Sequence, residues 1–264
     1  MEHALPGTRR LDGTRSLTPG ATPDSESGDH LWHCRAVSTD GTPPGPYDLD
    51  PARVRAGTAI RDLGHAFAGH SLEGGQIERI ADVIESLISE LADGTPRRRD
   101  PASFGDHRRY RYEEGPITHT YADRPICGLA SPWGLDPDLH RRGDEIEAIV
   151  TLRAAHEGAP GRSHGGIVAA LFDDVFGFVL SIVDEAAFTG RLTITYRAGT
   201  PLHEPISCRV RATGKKGRKI TMTGELTVVA TGQLLAEAEA LFITVDPEMF
   251  ASSAQRPAPP DEDA

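Results

Sequence analysis

Apolar positions fall into stretches with different periods along the chain. Residues 1–49 have no apolar period; Gly, Pro, Ser, Thr and Asp dominate, which predicts an arm without fixed structure. At "DLDPARVRAGTAIRDLGHAF" a helical period begins. Asp50 can cap it, Pro51 suits the first helical position, and Val54, Ile60, Leu63 and Phe67 fall near one face. Ile77, Ile80, Ala81, Ile84, Leu87, Ile88 and Leu91 then keep spacings of three and four until "DGTP" stops them. Two amphipathic helices over 50–94 are expected, joined near Gly74 and Gly75 and docked through their apolar faces. Residues 95–125 read as a polar connector whose arginines could meet a phosphate or simply face water.

Beyond Cys127 the period changes. "EIEAIVTLRA" (145–154), "RLTITYRAG" (191–199), "ISCRVRATG" (206–214), "RKITMTGELTVVA" (218–230) and "QLLAEAEALFITV" (233–245) are β-rich, and several alternate with period two. Thr231 and Gly232 suit a tight connection between the last two. One long apolar segment, "HGGIVAALFDDVFGFVLSIV" (164–183), interrupts them as a helix. A single helix amid antiparallel strands predicts an α+β fold, a curved sheet with the helix against one face and a meander of the last three strands. Residues 248–264 read as a tail without structure.

Length and charge narrow the function classes. With 264 residues and 38% hydrophobic content, the chain can build a substantial core. A formal net charge of −11 argues against a general nucleic-acid binder. The Asp pair interrupts the best candidate for a membrane span, and "MEHALPGTRRLDG" lacks the apolar core of a signal peptide. Cys34, Cys127 and Cys208 are widely spaced and form no disulfide framework. A cytoplasmic protein without membrane insertion is therefore expected.

Asp173 and Asp174 in the middle of the apolar helix need a reason. An ionised carboxylate taken out of water costs on the order of several kcal/mol, against a domain stability of roughly 5–15. The helix dipole offers little there, because it fades after the first turn. Either one Asp is an anchor bonded to backbone or arginine with its neighbour exposed, or a shielded carboxylate is kept for chemistry. The first-turn N–H groups at Gly165 and Gly166 lack intrahelical partners and form a ready site for a negatively charged oxygen.

These residues carry a family resemblance. "HEGAPGRSHGGIVAALFDDVFG" resembles the hotdog-fold acyl-CoA thioesterases, in particular their phenylacetate-type branch. Their signature is His-Gly-Gly opening the central helix and an Asp nine residues after the His, here His164 and Asp173. "EGAPG" is similar to the turn before that signature, "CGLASPWGLDP" to the opening strand, and "GRKITMTGEL" and "LLAEAEALFITVDP" to the closing strands. The resemblance covers about residues 126–247 and none of 1–125. It implies a hotdog domain, a thioester hydrolase without cofactor or metal, and a homodimer or dimer of dimers with the site across the interface.

Position by position, the resemblance implies Asp173 as the catalytic carboxylate, either general base or direct nucleophile. Gly165 would supply the N–H that holds the thioester oxygen, with Gly166 beside the substrate and His164 orienting the turn. Thr189 matches a hydroxyl that assists the water in one branch; its other reading is a strand-entry residue. Asp174 matches no role in the family, and an exposed or salt-bridged side chain is expected. The substrate would be an acyl-CoA or acyl-carrier thioester.

Two positions depart from the pattern. Gly158 stands where some relatives carry an Asn that supports the substrate carbonyl, and Ser131 where another Asn is frequent. They keep a second reading open, a hotdog protein that binds acyl thioesters or serves as an assembly partner without hydrolysis. In "GKKGRK" (214–219), Lys215, Lys216, Arg218 and Lys219 are candidates for CoA phosphates, or a solvated turn. "HLWHC" (30–34) would need a further ligand to hold zinc, and His65 and His70 have no companions that suggest ligation, so no metal is expected.

Overall fold

The alternating segments fold as strands because their apolar residues line one face of a sheet that wraps the apolar helix. The computed structural model describes residues 50–97, 101–104, 112–117, 122 and 124–254, all within one compact unit. The expected arm over 1–49 and the "HLWHC" cluster lie outside them. The strands are β1 (Gly115–Pro116), β2 (Asp138–Arg142), β3 (Glu145–Thr151), β4 (Glu157–Ala159), β5 (Arg162–Ser163), β6 (Ala187–Tyr196), β7 (Pro205–Lys216), β8 (Lys219–Val228) and β9 (Leu234–Thr244). Seven of them make one antiparallel sheet in the order β1-β2-β3-β7-β8-β9-β6, and β4 and β5 form a small hairpin. The expected meander is β7-β8-β9, and Gly232 takes its turn with φ +70°.

The apolar segment is helix α3 (Gly165–Ile182). Val168, Leu171, Phe172, Val175, Phe176 and Val179 recur at spacings of three and four and are fully buried against the sheet. By length and composition alone α3 could cross a membrane; here half of it is buried inside the fold. Position 173 falls on the face the sheet does not cover, and Asp173 is exposed. Within one chain the described residues thus leave the carboxylate unshielded; the shielding that the resemblance implies lies between two copies.

β6 is an edge of the sheet, and nearly all of its residues are exposed or half-exposed. At its start the register slips, so that Thr189 faces Phe242 and Arg191 already faces Leu241. Gly190 is the extra residue of this bulge, where a Cβ would approach Ile243 Cγ1 to 3.0 Å. The bulge moves Thr189 onto the same face as Leu192, Ile194 and Tyr196, the face toward α3.

Helices α1 (Pro51–Gly69) and α2 (Gly74–Ala92) form where expected. Asp50 Oδ1 accepts the Ala52 N–H at 2.9 Å, and Gln76 Oε1 accepts the Glu73 N–H at 3.1 Å. Their docking differs from expectation. α1 lies down with a small and polar stripe, Gly57, Arg61, His65 and Gly69, and leaves Ile60, Leu63 and Phe67 exposed. Side-chain size decides this: a Cβ at Gly57 would sit 2.4 Å from the Ala130 carbonyl oxygen, so only a bare backbone fits. α2 has no buried residue, and Leu87, Ile88 and Leu91 face outward, so its apolar face is not covered by the described residues.

Two further expectations change. "CGLASPWGLDP" is not a strand but a chain of turns, with Gly128 N–H donating to the Arg124 carbonyl at 3.0 Å and Leu135 N–H to Ile126 at 2.7 Å. A Cβ at Gly128 would meet Arg124 backbone at 2.5 Å, which fixes that tight return. The tail expected from 248 starts instead as helix α4 (Pro247–Ala254), where Phe250 packs on Phe104 and Phe188.

Candidate active site

The N-terminus of α3 is built from His164 onward. His164 caps the helix with extended backbone (φ −64°, ψ 134°), and its Nδ1 accepts the Gly166 N–H at 3.0 Å. The Ile167 N–H donates to the His164 carbonyl at 3.0 Å. Of the first three helical amides this leaves Gly165, whose N–H has no hydrogen-bond partner among the described residues. Tyr196 fixes the same residue from the other side, its hydroxyl donating to the Gly165 carbonyl at 2.8 Å. A cavity of about 340 Å³ opens there, with Ser163, Val168, Ala198 and Thr200 in its wall. An unpaired N–H at a helix start, held from two sides, can bind an oxygen that gains negative charge.

Two turns along the helix, Asp173 Oδ1 accepts the Thr189 hydroxyl at 2.7 Å. The carboxylate is otherwise exposed, so its second oxygen is open to a water or a carbonyl carbon. Thr189 reaches it only because the Gly190 bulge turned that side chain toward α3. Eight residues of helix separate Asp173 from Gly165, about 12 Å along the axis. A carboxylate and an oxyanion donor so far apart cannot serve one carbonyl group within a single chain.

The neighbouring carboxylate has a different life. Asp174 Oδ1 accepts from Arg124 Nε at 3.0 Å and also from Nη2, and Oδ2 accepts the Cys127 N–H at 2.8 Å. Arg124 Nη2 also donates to the Asp174 carbonyl at 2.9 Å, and its guanidinium lies 4.2 Å from the Phe178 ring centroid. Gly177 makes this possible, since a Cβ there would stand 2.8 Å from Arg124 Nη2. Burial lowers the Arg124 pKa, but the Asp174 charge beside it outweighs that and raises it. Burial likewise pushes the Cys127 thiol well up, so it stays protonated. Asp174 thus sutures the 124–127 turn to the central helix. Arg124, at the end of the supposed polar connector, is neither solvated nor free for a phosphate.

Of the two departures from the family pattern, Ser131 is buried, and Gly158, though exposed, has its Cβ direction blocked. A Cβ at Gly158 would lie 2.7 Å from His164 Cα, so no side chain fits between the β4-β5 hairpin and the helix cap. Ser131 is buried, its hydroxyl donating to the Pro125 carbonyl at 2.8 Å and accepting the Trp133 N–H at 3.1 Å. Neither can reach a substrate carbonyl. The basic hairpin lies at the other end of α3, where Lys215 is ion-paired with Glu185 and Arg218 Nε donates to the Thr244 carbonyl at 3.0 Å. Lys215 and Arg218 are therefore committed to this chain, while Lys216 and Lys219 are exposed at the tip.

Tyr196, Arg124 and His156, whose carbonyl accepts the His164 N–H at 2.8 Å, were not singled out by sequence reasoning. Tyr196 carries a legible signal, as the last residue of the helix-facing series Leu192, Ile194, Tyr196. Arg124 carries none, because its partner lies 50 residues away. Among the described residues no cluster of three His, Cys, Asp or Glu is placed to hold a metal ion.

The sheet order β3-β7-β8-β9-β6 around one helix can be compared with solved folds. The crystal structure of a thioesterase superfamily protein matches 76% of this chain and 97% of its own length, with a TM-score of 0.62 at 26% identity. The chain belongs to the hotdog-fold thioesterase superfamily. No protein-family model matches it. Acyl-coenzyme A thioesterase THEM4 of Mus musculus is 34% identical over 92 residues, 35% of this chain and 40% of the mouse protein. THEM4 of Bos taurus is 27% identical over 123 residues, 46% of this chain and 51% of the bovine protein. The chain thus spans about half, or less, of the length of these curated relatives. In superfamily terms, α3 is the central hotdog helix and β6 the free edge of the hotdog sheet.

Proposed function

We propose that the protein hydrolyses acyl thioesters of the acyl-CoA class, at a site shared between two copies of the chain. The observation that carries this reading is the exposed Asp173 carboxylate held by Thr189, on the face of α3 that the described residues leave bare. Attack on a thioester needs a carboxylate beside the carbonyl carbon and a donor at its oxygen. One chain has both parts, 12 Å apart along α3 by helix rise.

A two-fold axis perpendicular to the sheet brings them together. If the free β6 edge pairs antiparallel with that of a second copy, centred on Thr193 and with Gly190 as the extra residue of the bulge, then Thr189 stands across from Tyr196 of the other copy. Thr189 is bonded to Asp173, and Tyr196 to Gly165. The pairing also removes a ten-residue exposed edge. Asp173 then takes a proton from the water that attacks the carbonyl, and the adduct collapses with loss of the thiol; or Asp173 itself attacks and expels the thiol, leaving an anhydride that water hydrolyses, while the opposite Gly165 N–H holds the oxyanion. Thr189 keeps one carboxylate oxygen occupied and leaves the other to react. The exposed apolar faces of α1 and α2 are further surface that a second copy could cover.

The names of the mouse and bovine relatives support acyl-CoA as the substrate class. Lys216 and Lys219 are the hairpin cations left for its phosphates. A second reading has one observation in its favour. Gly158 offers no side-chain donor and admits none, so the oxyanion would rest on backbone alone, as would suit a protein that binds thioesters without cleaving them. Release of free thiol from a panel of acyl-CoAs of different chain length separates the two. Turnover of at least one member is expected; saturable binding across the panel with no thiol released would establish the non-catalytic reading.

A further inference from the structure

We propose that α1, which lies outside the hotdog core, sets the Gly165 turn, and that His65 is the positioning residue through which it acts. The inference rests on the reading of Gly165 as the oxyanion donor. His65 Nδ1 accepts the Ala155 N–H at 3.1 Å, and its ring stands edge-on to that of His156 with centroids 4.5 Å apart. His156 is buried, its Nδ1 accepts the Arg153 N–H at 3.1 Å, and its carbonyl accepts the His164 N–H at 2.8 Å. His164 in turn holds the Gly166 N–H and begins the helix at Gly165. The contacts therefore run without a gap from α1 to the first amides of α3.

The rest of the α1 stripe fixes the helix on both sides of His65. Asp62 pairs with Arg153 at 2.7 Å, and Gly69 lies against Ala154. Toward its start, Arg61 donates to the Leu129 carbonyl at 2.9 Å and the Ser131 carbonyl at 2.6 Å. That second turn carries the Cys127 N–H to Asp174. One rigid helix thus ties the turn behind Gly165 to the turn anchored on the middle of α3. Both imidazoles serve as neutral acceptors: burial first, with Arg153 contributing, lowers His65, and burial with His65 and Arg153 pushes His156 down to about 4.

The test compares His65→Ala, His65→Phe and His65→Gln in the full chain. Gln can still accept the Ala155 N–H; Phe keeps the ring packing but cannot accept, and it carries the test should Ala fail to fold. Two readouts are taken: amide hydrogen exchange at His164 and Ile167, and kcat and KM on the best acyl-CoA substrate. Ala and Phe should speed exchange at both amides at least about fivefold and lower kcat about tenfold, with KM within about twofold. Gln should restore both readouts to within about threefold. Unchanged exchange, or faster exchange with unchanged kcat, overturns the proposal. If the wild type cleaves no thioester, the hydrolase reading fails by itself; the exchange readout then decides whether His65 sets the turn.

Discussion

Asp173→Asn should lower thioester hydrolysis at least about 100-fold, some 2.7 kcal/mol of barrier, with the melting temperature shifted by no more than about 2 °C. The amide keeps the size of the side chain and can still accept the Thr189 hydroxyl, so position and packing survive. It cannot take a proton from water or form an anhydride. Stability should hardly change, because the carboxylate is exposed in the chain and holds nothing but Thr189. Thiol release and a melting curve on one preparation check both halves. Near-normal turnover would remove Asp173 from the chemistry; an unfolded variant would make it an anchor instead.

The adjacent carboxylate should behave in the opposite way. Asp174→Ala removes the counter-charge of a guanidinium packed between the 124–127 turn and Phe178, and leaves the Cys127 N–H without its acceptor. Breaking a fully buried pair on one side costs about 3–5 kcal/mol, and this pair, part-buried, should lie toward the lower end, about 3 kcal/mol. For a domain of this size that corresponds to a melting temperature lower by about 10 °C. Asp174→Asn should lose less, since its amide oxygen can still accept from Cys127. Chemical denaturation of the three proteins gives the order wild type, Asn, Ala. A loss below about 1 kcal/mol for Ala would mean that the suture carries no weight.

The two aspartates also mark how far the sequence could be read. The periodicity of 164–183 and the alternation of the later strands are properties of single segments, and both became the elements expected. Asp173 and Thr189 were paired by resemblance, and they are in contact. The bulge that makes the contact was invisible, because Gly190 looks like any strand glycine until its neighbour's register is known. Asp174 lost its partner in the reading because Arg124 reaches it over 50 residues, through space left by Gly177. The apolar face of α1 misled for a similar reason: the docking surface is a turn that excludes any Cβ at position 57, so the bare and polar stripe lies down. The apolar α2 face, the bare face of α3 and the β6 edge have one thing in common, surface that the described residues of one chain do not cover.

The shared site can be tested by mixing two inactive variants. Gly165→Pro deletes the proposed oxyanion N–H at a first helical position, where proline is favoured, and His164 already has the extended backbone that precedes proline. Asp173→Asn deletes the carboxylate. Each alone should be at least about 100-fold down on acyl-CoA hydrolysis. Co-expressed in equal amounts, they form mixed dimers in half of all pairings, each with one intact site, and should recover about a quarter of the wild-type rate. A mixture no more active than its parents would contradict a thioesterase site built from Asp173 of one copy and Gly165 of another.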